Sequence, residues 1–188
     1  MKTAVVVIGA ALLMGACQHS ATVRESRGQG FVQLSGGYLV LKQPLQVQAG
    51  KARVFIQDGG SPDSPGHVLS GGFDHYRPHC AFEIRSVKHA GFTIQPDTFH
   101  ITQVQGSLER VVMTEPLQVA ALGLMVGAFD GPGSSAYHEG YHFWLASERQ
   151  PQVMRMSCYG VYAEPYDLEP PTLQEIREVL RGIAEIRR

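Results

Sequence analysis

Two of this chain's eight histidines stand at a spacing that zinc peptidases use. His138-Glu139-Gly140-Tyr141-His142 spells H-E-x-x-H. On a helix, histidines four apart face one way and can hold a metal, while the glutamate activates a bound water. The neighbouring residues argue against a helix. Gly140 weakens one, Gly131, Pro132 and Gly133 lie just upstream, and Tyr141-His142-Phe143-Trp144-Leu145 alternates as a strand does. Four residues along a strand span about 13 Å, too far for two ligands of one zinc with bonds of about 2 Å. The pattern is therefore read as accidental spelling, and His138 and His142 are metal-ligand candidates only for the helical case. A second group, His67, Asp74, His75 and His79, lies in a stretch from Asp58 to His79 rich in Gly and Pro. These side chains could ligate a metal or titrate near pH 6.5. Pro78, between His75 and His79, argues against regular helical ligation, and the plainer alternative is a solvated loop.

Other chemistry finds little support. Gly131-Pro132-Gly133-Ser134-Ser135-Ala136 spells G-x-G-x-x-A, but Pro132 removes an amide donor and no helix clearly follows. There is no G-x-S-x-G elbow and no Walker sequence. Asp97, Glu83 and Glu109 are carboxylates that nothing in the sequence pairs. The expectation is a protein that is not an enzyme, with no catalytic residue, no resident metal and no cofactor.

Composition limits what can position these residues. With 44% hydrophobic and 18% charged residues among 188, a packed core forms and wholesale disorder is excluded. A formal charge of −1 lacks the basic excess of a nucleic-acid-binding domain, so no nucleic-acid partner is expected. Twenty-one Gly and eleven Pro suit a turn-rich β protein. The expected fold is mainly β, an antiparallel sandwich or barrel-like sheet with one C-terminal helix, with α+β as the second choice.

The N-terminus carries an address. Lys2 precedes an uncharged apolar run from Ala4 to Leu13, and Met14, Gly15 and Ala16 stand just before Cys17. That is the grammar of a cleaved secretory signal over residues 1–16, too short for a membrane span of about 20 residues. Leu13-Met14-Gly15-Ala16-Cys17 resembles the lipobox of bacterial lipoproteins. The resemblance implies cleavage before Cys17 and acylation of that residue with chains such as palmitate. Met14 departs from the usual Leu. Gln18 stands where inner-membrane retention would place Asp, which implies the outer membrane, on its periplasmic face. Each buried methylene contributes about 0.8 kcal/mol, so several chains would anchor the protein durably. Residues 17–30, with Arg24, Glu25, Arg27 and two Gly, read as the attachment site and a flexible tether to one domain over 31–188.

With Cys17 assigned to lipid, Cys80 and Cys158 remain, and an oxidising compartment favours a disulfide between them. Each lies in an alternating run: Cys80, Phe82 and Ile84 on one face, and Met154, Met156 and Cys158 on one face. Further strands are expected at Tyr38–Leu41, Leu45–Val47, Ala52–Ile56, Phe99–Gln105 and Tyr141–Ala146. Val111–Thr114 is the expected hairpin partner of Phe99–Gln105, and Leu117–Phe129 is ambiguous between strand and helix. One helix is expected over 172–187. Pro170-Pro171 precede it, Thr172 and Glu175 form a capping box, and Leu173, Ile176, Leu180 and Ile183 make an apolar stripe.

Tyr76-Arg77-Pro78-His79-Cys80-Ala81-Phe82-Glu83, Ile94-Gln95-Pro96-Asp97-Thr98-Phe99, Gln150-Pro151-Gln152-Val153, Cys158 and Pro171–Arg177 resemble a family of proteobacterial envelope lipoproteins of unknown function. The resemblance covers somewhat over half the chain. It implies a β domain with a disulfide and a C-terminal helix, and supplies no reaction. The functional expectation is a lipid-anchored envelope protein in binding or assembly, partnered by the membrane and by another envelope protein. The alternatives are a periplasmic ligand- or metal-binding β module and, behind it, a zinc hydrolase using the HEGYH residues.

Overall fold

Hydrophobic alternation becomes paired strands over about half of the described residues. The structure, a computed structural model, describes residues 20–59, 67–69, 73–111 and 136–188. The signal segment 1–16, Cys17, the stretch 117–129 and residues 131–135 of the glycine-rich pattern lie outside the described residues. In chain order the elements are β1 (Val23–Arg24), β2 (Phe31–Val32), β3 (Tyr38–Leu41), β4 (Leu45–Val47), β5 (Arg53–Gln57) and β6 (His67–Leu69). They continue with β7 (His79–Ile84), β8 (Phe92–Ile94), β9 (Asp97–Val111), β10 (Ala136–Ala146), β11 (Val153–Tyr159), α1 (Leu173–Val179) and β12 (Ala184–Arg187).

The protein is mainly β, built on one curled antiparallel sheet. Among the described residues, eight strands run in the order β12-β3-β9-β10-β11-β7-β5-β6, beside two small pairs, β1 with β2 and β4 with β8. β9 does not end near Gln105 as expected: Val111, expected to begin its hairpin partner, is the last residue of β9 itself, and 112–114 lie outside the described residues. It runs on to Val111 and pairs along its length with β10, whose Phe143 faces Val104 and whose Tyr137 faces Arg110.

One face of the sheet makes the core. Cys80, Phe82 and Ile84 of β7, Tyr141, Phe143 and Leu145 of β10, and Met156 and Cys158 of β11 are buried in a single cluster. Leu173, Ile176 and Val179 of α1 join it, so the helix lies against this face, and β1, β2, β4 and β8 add Val23, Val32, Leu45, Val47 and Ile94. Each such side chain contributes roughly 1.5–3 kcal/mol on full burial. Met154 departs from the expected face, because the pairing shifts by one between Val153 and Arg155 and Val153 is buried in its stead. Cys80 and Cys158 are direct cross-strand partners with Cα atoms 4.1 Å apart, and a disulfide joins them.

Two boundaries differ from expectation. The segment read as a flexible tether is ordered from Ser20: the Ala21 amide donates to the Val104 carbonyl at 2.7 Å, and Val23 is fully buried. A lone Val among polar residues gives no alternation, which is why β1 was not visible. The helix also stops well short of residue 187. Its capping box forms as expected, with Thr172 accepting from the Glu175 amide. After Leu180 the chain turns through Gly182 at φ +75°, and Ala184–Arg187 pair with β3 as a strand. Ile183 and Ile186 still reach the core, from turn and strand rather than from a helical stripe. Among the described residues no helix is long and apolar enough to cross a membrane.

The disulfide spans 78 positions of sequence, a loop whose closure contributes about 4.5 kcal/mol in the chain-entropy model. Equilibrium urea unfolding with and without reductant is expected to show a loss of this order. Coincident transitions would show that the cross-link adds nothing to stability.

Candidate functional site

The opposite face of the sheet carries the chemistry. Strand alternation turns His138, Gly140 and His142 of β10 away from Tyr141 and Phe143. Register sets them beside Ser157 and Tyr159 of β11 and Ser107 and Glu109 of β9, and β7 adds His79 and Glu83. Although they face away from the core, His79, Glu83, His138, His142 and Ser157 are buried. Every buried side-chain nitrogen and oxygen among the described residues has a hydrogen-bond partner. The face is therefore a satisfied polar layer, which fixes its side chains in place.

One group centres on Glu83. Both its oxygens accept from Arg155, at 3.1 Å each, and Arg53 lies 3.9 Å away. The Arg155 guanidinium sits 5.4 Å over the Trp144 ring. Burial pushes the Glu83 carboxyl up, but the hydrogen bonds from Arg155 and Ser157 outweigh it and hold the group below the usual range. The Ser157 hydroxyl donates to Glu83 at 2.5 Å and accepts from His142 Nδ1 at 2.8 Å. This reverses the order of a serine triad, in which serine gives its proton to a histidine that a carboxylate orients. The Ser157 proton is committed to the carboxylate, and the residue is 1% exposed. The arrangement presents no activated nucleophile.

The second group gathers histidines from both regions singled out in the sequence. His75, from the loop before β7, brings Nδ1 to 3.1 Å from His138 Nε2. His138 Nδ1 faces the Gly160 carbonyl at 3.1 Å, so this nitrogen carries the proton and Nε2 carries the lone pair. The His79 ring lies edge-on to His138, with centroids 5.2 Å apart, and stacks on Phe73 at 3.8 Å. The Tyr159 hydroxyl donates to Glu109 at 2.6 Å. Together Phe55, Phe73, His75, His79, His138 and Tyr159 line much of a cleft of about 240 Å³. Burial, ahead of the neighbouring histidines, pushes His79 down to about 3. It also lowers His138, and it lowers His142 ahead of the Arg155 charge.

The strand disposes of the peptidase geometry. His138 and His142 share a face, but β10 separates them by roughly 13 Å and alternation turns Glu139 the other way. His142 belongs to the Glu83 group and His138 to the cleft. His67 pairs through its backbone with Gln57, and its side chain lies outside the described residues. Asp74 accepts from the Tyr76 amide, an intraloop bond. Asp97 bonds Ser147 and Gln150 at the start of β9. Among the described residues, no set of three or more His, Cys, Asp or Glu converges as a metal cage. The meeting of His75 with His138 escaped the sequence because it depends on long-range contacts, such as the Tyr162 amide donating to the His75 carbonyl. The usable signal was polar residues at alternate positions of the otherwise apolar β7, β10 and β11.

Gly140, the middle of HEGYH, has a packing reason. A Cβ there would lie 2.1 Å from the Cys158 carbonyl oxygen and 2.7 Å from the Tyr159 ring. Gly140→Ala is expected to destabilise the protein by about 3 kcal/mol in thermal or urea unfolding, at the upper end of ordinary overpacking. A variant as stable as the parent would contradict this contact.

The lowered histidines fix the sign of the acid response. Their folded values lie below the unfolded value of about 6.5, so between the two the unfolded chain binds more protons and stability falls as pH falls. Each histidine contributes up to about 1.4 kcal/mol per pH unit in its window, reaching toward pH 3 for His79. Melting temperatures in chelator-containing buffer are expected to drop steadily from pH 7 to pH 4.5. A flat profile would mean that these groups titrate normally in the fold.

Comparison with family models, with curated proteins and with solved structures finds no match to this chain.

Proposed function

We propose that the chain is a lipid-anchored envelope protein without a catalytic role, acting in binding or assembly at the outer membrane through the cleft on the second face of its sheet. The observation that carries the binding half is the two-faced sheet. Its core face already holds the fold together, yet His79, Glu83, His138, His142 and Ser157 are buried on the other face. Burying such groups costs free energy even when they are paired, and an apolar layer would cover the sheet more cheaply. A fixed polar layer opening into a cleft with aromatic walls is the kind of surface that recognises a ligand or partner.

The anchoring half rests on the lipobox-like Leu13–Cys17 and on the resemblance to envelope lipoproteins. The Cys80–Cys158 disulfide supports an oxidising compartment. A ligand- or metal-binding β module is the same reading with a small occupant, favoured by the approach of His75 to His138.

One experiment in intact cells tests both halves. A photocrosslinking residue is placed at Tyr162 beside the cleft, or at exposed Phe31 as a control, in the parent and in a Cys17→Ser background. The parent is expected in the membrane fraction, with a discrete adduct from position 162 and none from position 31, and Cys17→Ser is expected in the soluble fraction. Membrane residence of Cys17→Ser would overturn the anchor. Equal crosslinking from both positions, or none, would overturn the cleft as the binding surface.

A further inference from the structure

The cleft can be carried to a class of ligand. We propose that His75 and His138 form a two-histidine site for a divalent transition-metal ion, Zn²⁺ or Cu²⁺, with its remaining coordination positions open to the cleft. This rests on the reading of the cleft as a binding surface.

Geometry comes first. His75 Nδ1 and His138 Nε2 are 3.1 Å apart. Two ligands of a tetrahedral ion with bonds of 2.0–2.1 Å stand about 3.4 Å apart, so the rings need to part by about 0.3 Å and to turn so that both lone pairs meet beside the line between them. The protons agree. The Gly160 carbonyl takes the Nδ1 proton of His138 and leaves the Nε2 lone pair aimed at His75. A backbone carbonyl on the far nitrogen is the usual partner that orients a metal-bound histidine. In the metal-free state His75 carries its proton on Nδ1 and donates it to His138 Nε2. On binding, that proton leaves Nδ1 and Nε2 of the same ring takes one up through solvent, so the imidazole stays neutral and no net proton is released.

The surroundings are mixed in charge, with Glu83 and Glu109 and also Arg53 and Arg110 lining the cleft. The His75 backbone is held by the Tyr162 amide at 2.8 Å, and Phe73 packs against its ring at 4.4 Å. Glu109 is the cross-strand partner of His138, and it turns one oxygen to the Tyr159 hydroxyl. Two imidazoles without thiolates select borderline ions such as Zn²⁺ and Cu²⁺ over Mg²⁺ or Ca²⁺. With only two protein ligands, affinity falls in the micromolar range, and water or a donor atom from the bound partner completes the sphere.

The test uses the full purified chain, stripped with chelator and dialysed, with ZnCl₂ and separately CuCl₂ titrated by calorimetry. One ion per chain is expected, with at least tenfold weaker binding in His75→Ala and in His138→Ala and no change in His100→Ala. His75 sits at the cleft edge, so its substitution keeps the test valid if the buried His138 variant fails to fold. The Cu²⁺ electron paramagnetic resonance spectrum should show coupling to two nitrogens in the parent and one in His75→Ala. No saturable uptake by the parent, or unchanged affinity in His75→Ala, overturns the metal site. If the Tyr162 crosslink survives that result, the cleft remains a binding surface with a different occupant.

Discussion

The register between β7 and β11 is the constraint on which the rest depends. Cys158 faces Cys80, Ser157 faces Ala81 and Tyr159 faces His79. Strand side chains alternate, so a slip of one residue would exchange the faces, sending His79 and Glu83 into the core and Phe82 out. The disulfide joins two residues that both belong inside, and so excludes that slip covalently. Neighbouring strands inherit the choice. β10 reads its faces from β11, and β5 from β7 through Val54 opposite Phe82. The core and the polar layer are two consequences of one alignment.

The polar layer divides by mechanism. Around Glu83, opposite charge and donors win over burial, so the carboxylate stays ionised and bidentate with Arg155. Around His79 and His138 burial wins, and the imidazoles stay neutral. The two halves of one sheet face thus differ in kind, an ion-pair network and a set of neutral imidazoles, and both contribute to the wall of the cleft. In the first, Arg155, Ser157 and His142 are engaged with one another or with Glu83; in the second, His138 is held between His75 and the Gly160 carbonyl, so an outside group must take the place of the contact between the two imidazoles.

Much of this was legible in the chain, and the failures share a cause. Strands such as Tyr38–Leu41, Leu45–Val47 and Arg53–Gln57 were found within a residue or two. So were the two cysteine faces and the Thr172 cap. What was missed depends on partners far along the chain. β1 is too short to show a period; it pairs with nearby β2 and is tied to distant β9 through Ala21, while β12 exists because the distant β3 receives it. The apolar spacing from Leu173 to Ile183 fits a helix throughout, but Gly182 and the open edge of β3 take its end into the sheet. Likewise, HEGYH was rightly read as strand, while the histidine it meets lies 63 positions away. Local pattern shows which face a residue takes, and topology alone shows whom it meets there.

The place of β12 has a consequence for how the chain acquires its fold. Ala184–Arg187 pair with Tyr38–Leu41, so one of the last strands to be made docks on one of the first. Such pairing carries a high contact order, and its loop-closure entropy is spent before any packing returns it. Until residue 187 is free, β3 lacks its outer neighbour and part of the core has no cover from Ile183 and Ile186. A chain that emerges from its N-terminus therefore presents the inner strands of the sheet before the one that covers the edge of β3. High contact order favours slow folding, and while it proceeds the thiols of Cys80 and Cys158 stay accessible to an oxidant until their register is chosen.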